Sequence, residues 1–594
     1  MTENILIAIA WPYANAEIHV GNVTGSHLPG DIVARYHRLK GNRVLMVSGT
    51  DSHGTPVTLR ADAEGKPIEE VYKRFHNGFL DLFLKLGIHY DLFTTTHTQN
   101  HFKVAQSIFL ALQKNGYLYT ESRPQWYSPA SKRFLPDRYV EGTCYICGFE
   151  GARSDQCDRC GSVLEPEKLI NPRSKVDGST PELRETEHFF LDLSKLEPEV
   201  ARFLRERKHY WRETVIGQSL GQIESEGLKP RAITRDLDWG IPVPIPGWEG
   251  KCLYVWFEAV IGYLSAAIEW AKLNGEPQAW KDWWTNPQAK SIYFIGKDNI
   301  FFHAAWWPAQ LMGTGEQFLE IFAGESGQRL TLPYDVPANQ FMNLEGQKIS
   351  GSRNWAVYAR DFLSRYDPDP LRYYLTVNMP ETRDTDWDWQ DFYQRNNSEL
   401  VATWGNLANR VLSFAFKHWD GHVPEAGDLR AVDQELLEKV RQSFHTVSEH
   451  LEAVRLRSAL LETMNLASEV NKYLDVTGPW FEIKTDKDAA AKSIFTALRA
   501  IDTLKVLFAP FLPFSTEKLH RYFGYSQPFF GEQKTELLTD ELGEHRVLLY
   551  DGSRASGEWK ISELKPGQVL VQPAPLFKKL EEKIVVEERA RLGV

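Results

Sequence analysis

The sequence predicts an α/β fold on parallel strands, split by a cysteine-bearing insertion and followed by an all-α bundle. Three observations predict it. Ile5 to Ala10 is a continuous apolar run, as expected of a parallel strand covered on both faces. Four of the five cysteines gather between Cys144 and Cys160. Beyond Phe392, apolar residues recur at helical spacing in long stretches such as Glu399 to Phe416 and Gln434 to Asp475.

The elements follow in order. After the first strand comes the loop Trp11-Pro12-Tyr13-Ala14-Asn15, then a helical pattern from about Gly21 to Lys40 with a kink expected at Pro29. Gly41-Asn42 stops that helix. Val44 to Val47 is the next strand, ending in Gly49-Thr50-Asp51-Ser52-His53-Gly54. Both polar clusters therefore fall at the carboxyl ends of strands, where open α/β sheets bind ligands. From about Gly116 to Lys229 the pattern breaks into short turns around the cysteines. Parallel-strand character returns at Leu253 to Phe257 and at Ile292 to Ile295, the latter ending in Gly296-Lys297-Asp298. The reading is a split Rossmann-like domain (1–115 and 230–323) around a connective insertion (116–229). A connecting region (324–389), a helical bundle (390–540) and a tail (541–594) with a charged helix around Leu580 to Arg591 complete it.

A chain of 594 residues should hold several domains. With 42% hydrophobic residues and 19 Trp it has the material for several cores. The net charge of -11 argues against a general nucleic-acid binder, whose affinity comes from neutralised phosphates. It leaves room for one basic face, with Arg202 to Arg212 and Lys229 to Arg235 as candidates, or as solvated helix faces. No basic segment precedes the first apolar run, which reads as a strand rather than a signal peptide. No apolar run approaches the ~20 residues of a membrane helix. Clustered cysteines do not form a disulfide framework, so a reducing, cytoplasmic setting is expected.

Cys144, Cys147, Cys157 and Cys160 form C-x2-C-x9-C-x2-C, two chelating turns that can close a tetrahedral thiolate site. Each pair is followed by a glycine, Gly148 and Gly161, suited to a tight turn. Redox-active pairs are the competing reading, but such sites use one pair on a β-α unit. Four thiolates leave no open position, so a structural Zn²⁺, one per chain, is expected. Cys252 stands alone beside an apolar run and reads as a core residue.

The turn His19-Val20-Gly21-Asn22 follows the first strand and opens a helix, whose N-terminus can receive phosphates. Gly21 lets a nucleotide approach the backbone, and His19 and Asn22 can donate to an α-phosphate as charge builds there. Far along the chain stands Lys348-Ile349-Ser350-Gly351-Ser352. In this order, with the cysteine knuckle between them, the two motifs resemble the HIGH and KMSKS signatures of class I aminoacyl-tRNA synthetases. Longer strings resemble the methionyl-tRNA synthetases in particular, over nearly the whole chain. These are Trp11 to Asn15, Thr50-Asp51-Ser52-His53-Gly54-Thr55-Pro56, Leu253-Tyr254-Val255-Trp256-Phe257 and Phe294-Ile295-Gly296-Lys297-Asp298.

The resemblance implies a methionine–tRNA ligase using ATP with Mg²⁺, methionine and tRNA(Met), with His19, Asn22 and Lys348 catalytic. It implies that His19, Gly21, Asn22, Asp298, Lys348 and Ser350 bind ATP. It places Asp51 on the substrate amino group, and Trp11, Tyr13, Trp256, Tyr263, Phe302, His303 and Trp306 around an apolar side chain; ring edges suit a thioether sulfur. In the bundle, Asn406, Arg410 and Trp480 match positions that read an anticodon, the Trp stacking on a base and the other two meeting its edge. The chain departs from the family at Trp11, where many members have Leu, and at Gly351, where the second lysine of the loop usually stands; Arg353 follows two residues later. Two rivals are a class I synthetase for another aliphatic amino acid and a zinc-knuckle RNA-binding relative without activity. Against the first, the insertion is too short to hold both the knuckle and an editing domain. A monomer is expected.

Overall fold

The computed structural model describes residues 2–593 apart from 136–138, 155, 156, 158, 161–163 and 165. Its centre is a six-stranded sheet. In spatial order the strands are Lys290–Phe294, Asn4–Ile9, Arg43–Thr50, Leu92–Thr95, Gly543–Asp551 and Glu532–Asp540. The first four are mutually parallel. Alternation puts Ile5, Ile7 and Ile9 in one core and Leu6 and Ala8 in another, all fully buried, which is why the run has no polar face.

The expected first strand and the strand around 292–295 are present. Leu253 to Phe257 is not a parallel strand. Only Cys252–Leu253 is extended, antiparallel to Thr234–Arg235, and a helix begins at Val255. An apolar run without alternation serves a buried helix as well as a buried strand, and here helix packing took it. The irregularity expected at Pro29 lies just before it, in a π-helical turn Val23–His27 that leads into the helix Leu28–Leu39. The wider turn accommodates a ring that has no N–H to give and would crowd the preceding carbonyls. Gln434 to Asp475 is two helices, Ala431–Glu452 and Leu456–Thr477, parted at Val454, whose φ is +51°.

The insertion holds more than turns: a long ribbon pairs Leu118–Ser128 with Glu182–Leu191, and helices Glu197–Glu206 and Glu213–Glu226 follow. The connecting region carries a small sheet of Met342–Leu344, Gln347–Lys348 and Thr385–Trp387. The largest difference is at the carboxyl end. The hairpin Glu532–Asp540 and Gly543–Asp551 returns to the central sheet, Leu548 opposite Phe93, before the helix Lys583–Arg589. Among the described residues no helix is long and apolar enough to cross a membrane.

Arg372 joins the helix Leu28–Leu39 to the bundle. It is fully buried, pairs with Asp31 at 2.6 Å, and donates to the Phe511 and Pro510 carbonyls at 2.8 and 2.9 Å. Arg35 shares the same Asp31 oxygen at 2.8 Å. Although burial alone would raise its pKa, the two guanidiniums hold the Asp31 carboxyl well below its usual range. Removing one partner of such a cluster leaves buried charge and orphaned carbonyls. Arg372→Met should therefore destabilise the chain by ~3–5 kcal/mol, read as a lower urea midpoint, with Arg372→Lys recovering part of the loss. An unchanged midpoint would show that the cluster contributes nothing net.

Candidate active site and metal centre

The cleft at the carboxyl ends of the parallel strands is assembled by the segment after the first strand. Ala14 N–H donates to Asp51 O at 3.0 Å and Asp51 N–H to Pro12 O at 2.9 Å, stitching that segment to the next strand's end. On its other flank Val20 N–H donates to Val357 O at 2.9 Å and Ala359 N–H to Ile18 O at 3.0 Å. His19 caps the helix beginning at Val20: its Nδ1 accepts from Asn22 N–H at 3.3 Å, and Asn22 Oδ1 accepts from His19 N–H at 3.1 Å. Burial lowers the His19 pKa to about 4, so the ring is neutral at pH 7, and with Nδ1 accepting, its proton sits on Nε2 as a donor.

The two distant motifs meet. A Cβ on Gly21 would stand 3.0 Å from the His19 ring and 3.2 Å from Ile349 Cδ1, so the second motif's loop lies over the first motif's turn. Lys348 is on that loop, in register with Asn343. Gly351 needs no left-handed backbone, since it is not among the positive-φ glycines, and a Cβ there would meet only Tyr358 Oη at 3.5 Å. Arg353 turns back on its own loop, Nη2 to Lys348 O at 3.3 Å. Asp298 opens on the same cleft. Desolvation raises its pKa, and its own backbone N–H, then Lys348 and Lys297, pull it back.

Beside this cleft the aromatic residues gather. Trp256 stacks on Phe302 with centroids 4.1 Å apart, and Tyr13 meets the Trp256 ring edge-on at 6.2 Å. Phe302 meets Trp306 at 6.1 Å. Tyr263 Oη lies 2.7 Å from His303 Nε2, while His303 Nδ1 lies 2.9 Å from the Asn299 carbonyl. A carbonyl only accepts, so Nδ1 carries the proton, and Tyr263 donates to Nε2. Burial pushes His303 to about 4, in keeping with that neutral tautomer. Trp11 lies flat in a cradle: a Cβ on Gly49 would come within 2.3 Å of its ring, and one on Gly262 within 2.7 Å. Two glycines thus make room for the large side chain at this position.

Asp51 is buried, and desolvation followed by the charge of Glu258 pushes its pKa well up. Glu258, which no sequence motif singles out, is fully buried and acts on Asp51. His53 Nδ1 holds one of its oxygens and His101 Nε2 the other, each at 2.7 Å. Against a burial penalty that would raise it, His53 and His101 hold the Glu258 carboxyl at about 2. His101 continues to Ser265 Oγ at 2.7 Å. A glutamate directly after the apolar string Val255-Trp256-Phe257 was the available sign, because a charge in such a run is rarely left unpaired.

The four knuckle cysteines come together. Their sulfurs lie within 4.8 Å of one another, Cys147 and Cys157 at 3.6 Å. Tetrahedral zinc–thiolate bonds of ~2.3 Å place sulfurs about 3.8 Å apart, so the set fits a zinc ion. Gly148, with φ +72°, donates its N–H to Cys144 O at 2.9 Å and closes the first turn; Gly161 lies outside the described residues. Cys252 is buried, donating to Leu237 O at 3.1 Å. In the bundle, Asn406 and Arg410 are exposed on one face of the helix Asn406–His418, and the Arg410 guanidinium lies 4.8 Å from the centre of the Trp480 ring.

A parallel-stranded nucleotide fold carrying these two motifs and a helical bundle defines a class of aminoacyl-tRNA ligase architecture, and comparison with known proteins narrows it. Residues 5–412 match the family model "tRNA synthetases class I (M)", and residues 423–551 match "Anticodon binding domain of methionyl tRNA ligase". The chain belongs to the methionyl class I tRNA synthetase family. A methionine–tRNA ligase of Thermomicrobium roseum is 52% identical over 594 residues, covering 100% of this chain and 99% of the relative. One of Thermobifida fusca is 47% identical over 600 residues, covering 99% and 98%. The fold is similar to that of Mycobacterium tuberculosis methionyl-tRNA synthetase bound by methionyl-adenylate, with TM-score 0.75 at 23% identity over 97% of this chain and 100% of that one.

The knuckle makes a direct prediction. Metal analysis of the purified chain should find one zinc per chain, and Cys157→Ser should lose it. Cys157 is buried among the knuckle's own apolar residues, so the change should also loosen that lobe to protease. Full retention of zinc in Cys157→Ser would place the ion elsewhere.

Proposed function

We infer that the chain is a methionine–tRNA ligase that activates L-methionine with ATP and transfers it to the terminal adenosine of tRNA(Met). The observation that carries this is the meeting of the His19 turn and the Lys348 loop over one cleft, beside an aromatic cluster whose Tyr13 is bridged through the backbone to the buried Asp51. In the reaction a methionine carboxylate oxygen bonds to the α-phosphorus of ATP, and the bond to the bridging oxygen of pyrophosphate breaks. His19 Nε2–H and the Asn22 amide donate to the α-phosphate, Gly21 gives the nucleotide room, and Ser350 and Lys348 meet the β- and γ-phosphates. Asp298 stands where it can hold the ribose. These groups act on charge that grows in the transition state, which is where fixed donors contribute most. Mg²⁺ enters with ATP and neutralises phosphate charge.

Asp51 takes the substrate ammonium. Trp256, Phe302, Tyr13, Tyr263, His303 and Trp306 enclose its side chain, and Trp11 forms the base of the pocket from its glycine cradle. The Tyr263 hydroxyl is committed to His303, which fixes the ring on the pocket side. The cysteine set holds Zn²⁺ as a structural clamp and takes no part in the chemistry. Asn406, Arg410 and Trp480 read the anticodon, Trp480 stacking on a base and the other two meeting its edge. The division into a split catalytic domain, inserted knuckle lobe, connecting region and bundle follows the same reading, as does a cytoplasmic monomer.

Three measurements test this. Methionine alone should support ATP–pyrophosphate exchange; exchange driven by isoleucine, valine or leucine would overturn the assignment. The ammonium needs Asp51 ionised, and Asp51 has a raised pKa. Methionine affinity by calorimetry should then be full above that raised value, while the substrate ammonium keeps its proton, and fall as the pH drops through it, over a range where an unperturbed carboxylate stays ionised. Asp51→Asn should bind weakly with no such slope; a wild-type affinity flat over this range would contradict the role. Trp480→Ala should lower kcat/KM for tRNA charging by the ~1–3 kcal/mol of one base–aromatic stack and spare adenylation. Equal losses in both half-reactions would make Trp480 a packing residue.

A further inference from the structure

The signature loop presents Lys348 but has Gly351 where a second cation is expected, and Arg353 is folded back onto the Lys348 carbonyl at 3.3 Å. A second cation does reach the cleft, from a different element. Lys297 follows the strand Lys290–Phe294, and its N–H donates to Asn339 O at 2.8 Å, which draws it to the segment entering the signature loop. Its ammonium lies 4.2 Å from the centre of the Phe341 ring, and the Lys348 ammonium lies 5.6 Å from the same centre. One aromatic ring thus gathers two lysines from distant parts of the chain, each attracted by the ring's negative face. Both also act on Asp298.

We propose that Lys297 is a further catalytic residue, supplying with Lys348 the second positive charge on the pyrophosphate leaving group, with Phe341 as the platform that positions both. The proposal rests on the adenylation reading above. As the carboxylate–phosphorus bond forms, the electron pair of the breaking bond moves to the bridging oxygen of pyrophosphate, and two cations there share the growing negative charge. Lys297 now pairs with Asp384 Oδ1 at 2.7 Å. That pair is partly exposed, with Asp384 45% accessible, and such pairs hold weakly against a polyphosphate competitor. Asp384 also accepts from Phe341 N–H at 2.9 Å, so it holds the platform while the lysine moves to ATP.

The test is single-turnover adenylation and pyrophosphate exchange with Lys297→Met, Lys348→Met, Asp384→Asn, Gly351→Lys and the double variant Lys297→Met with Gly351→Lys. Lys297→Met should slow adenylation by about 10- to 100-fold with a smaller change in the KM for ATP, because the charge acts in the transition state. Asp384→Asn keeps the acceptor for Phe341 and removes only the ion pair, so it should stay within about twofold of wild type. Gly351→Lys meets only an ordinary contact with Tyr358 Oη and an ordinary backbone, so in the double variant it should restore part of the rate that Lys297→Met removes. An unchanged rate in Lys297→Met, or an equal loss in Asp384→Asn, overturns the proposal in favour of a structural ion pair. Failure of the double variant to recover any rate overturns it as well. If Lys348→Met is also without effect, the reading of the signature loop itself fails, which separates the two outcomes.

Discussion

The cleft depends on one constraint: the segment from Pro12 to Val20 is hydrogen-bonded through its backbone on both flanks. Asp51 holds it on one side and the stretch from Val357 to Ala359 on the other, each by two bonds of 2.9 to 3.0 Å. Main-chain bonds fix position, so the His19 Nε2–H and the Asn22 side-chain N–H are left to meet a ligand. The same bonds fasten Val357 to Val20 and so help hold the loop of Ile349 over the turn at Gly21. The helix after the turn is continuous to Leu39 through its π-helical segment, so the position of its first residue is set by the packing of the whole helix.

The second organising feature is how buried charge is distributed. The carboxylate of Glu258 lies close enough to Asp51 for its charge to raise the Asp51 pKa. Glu258 is held ionised by two histidines, whereas among the described residues the Asp51 carboxylate accepts a single long contact of 3.4 Å from the His53 N–H. Burying a charge without a partner is costly, and the fold satisfies one carboxylate internally while leaving the other for an incoming cation. The helix Val255–Glu258 carries Trp256 beside Glu258, so the pairing that neutralises the glutamate also sets the wall of the aromatic pocket. Charge balance and pocket shape are settled by the same contacts.

Much of the architecture was legible in the sequence because its signals are local. A strand covered on both faces has no polar alternate positions, so Ile5 to Ile9 and Ile292 to Phe294 could be read directly. The cysteine spacing announces its own geometry. Leu253 to Phe257 misled because unbroken apolar character marks burial and leaves the choice of helix or strand to the neighbours. The hairpin from 532 to 551 was missed because its first strand, with Glu, Lys and Asp on one face and Gln and Thr on the other, looks like loop until paired. Leu548 opposite Phe93 is a contact between residues hundreds of positions apart.

At the site the same division holds. The sequence by itself determined the parallel-strand core, the cysteine cluster, the two polar motifs and, through the strings that carry the family resemblance, the reaction. It named His19, Asn22, Asp51, Trp256 and Lys348, because each stands in a short string whose identity does not depend on what lies beside it. Only the tertiary structure decided that Glu258 is clamped between His53 and His101, that Trp11 rests on Gly49 and Gly262, and that Lys297 and Lys348 share the ring of Phe341. Those facts are distances between residues far apart in the chain, and a distance is fixed by the packing of whole elements rather than by any string of neighbours.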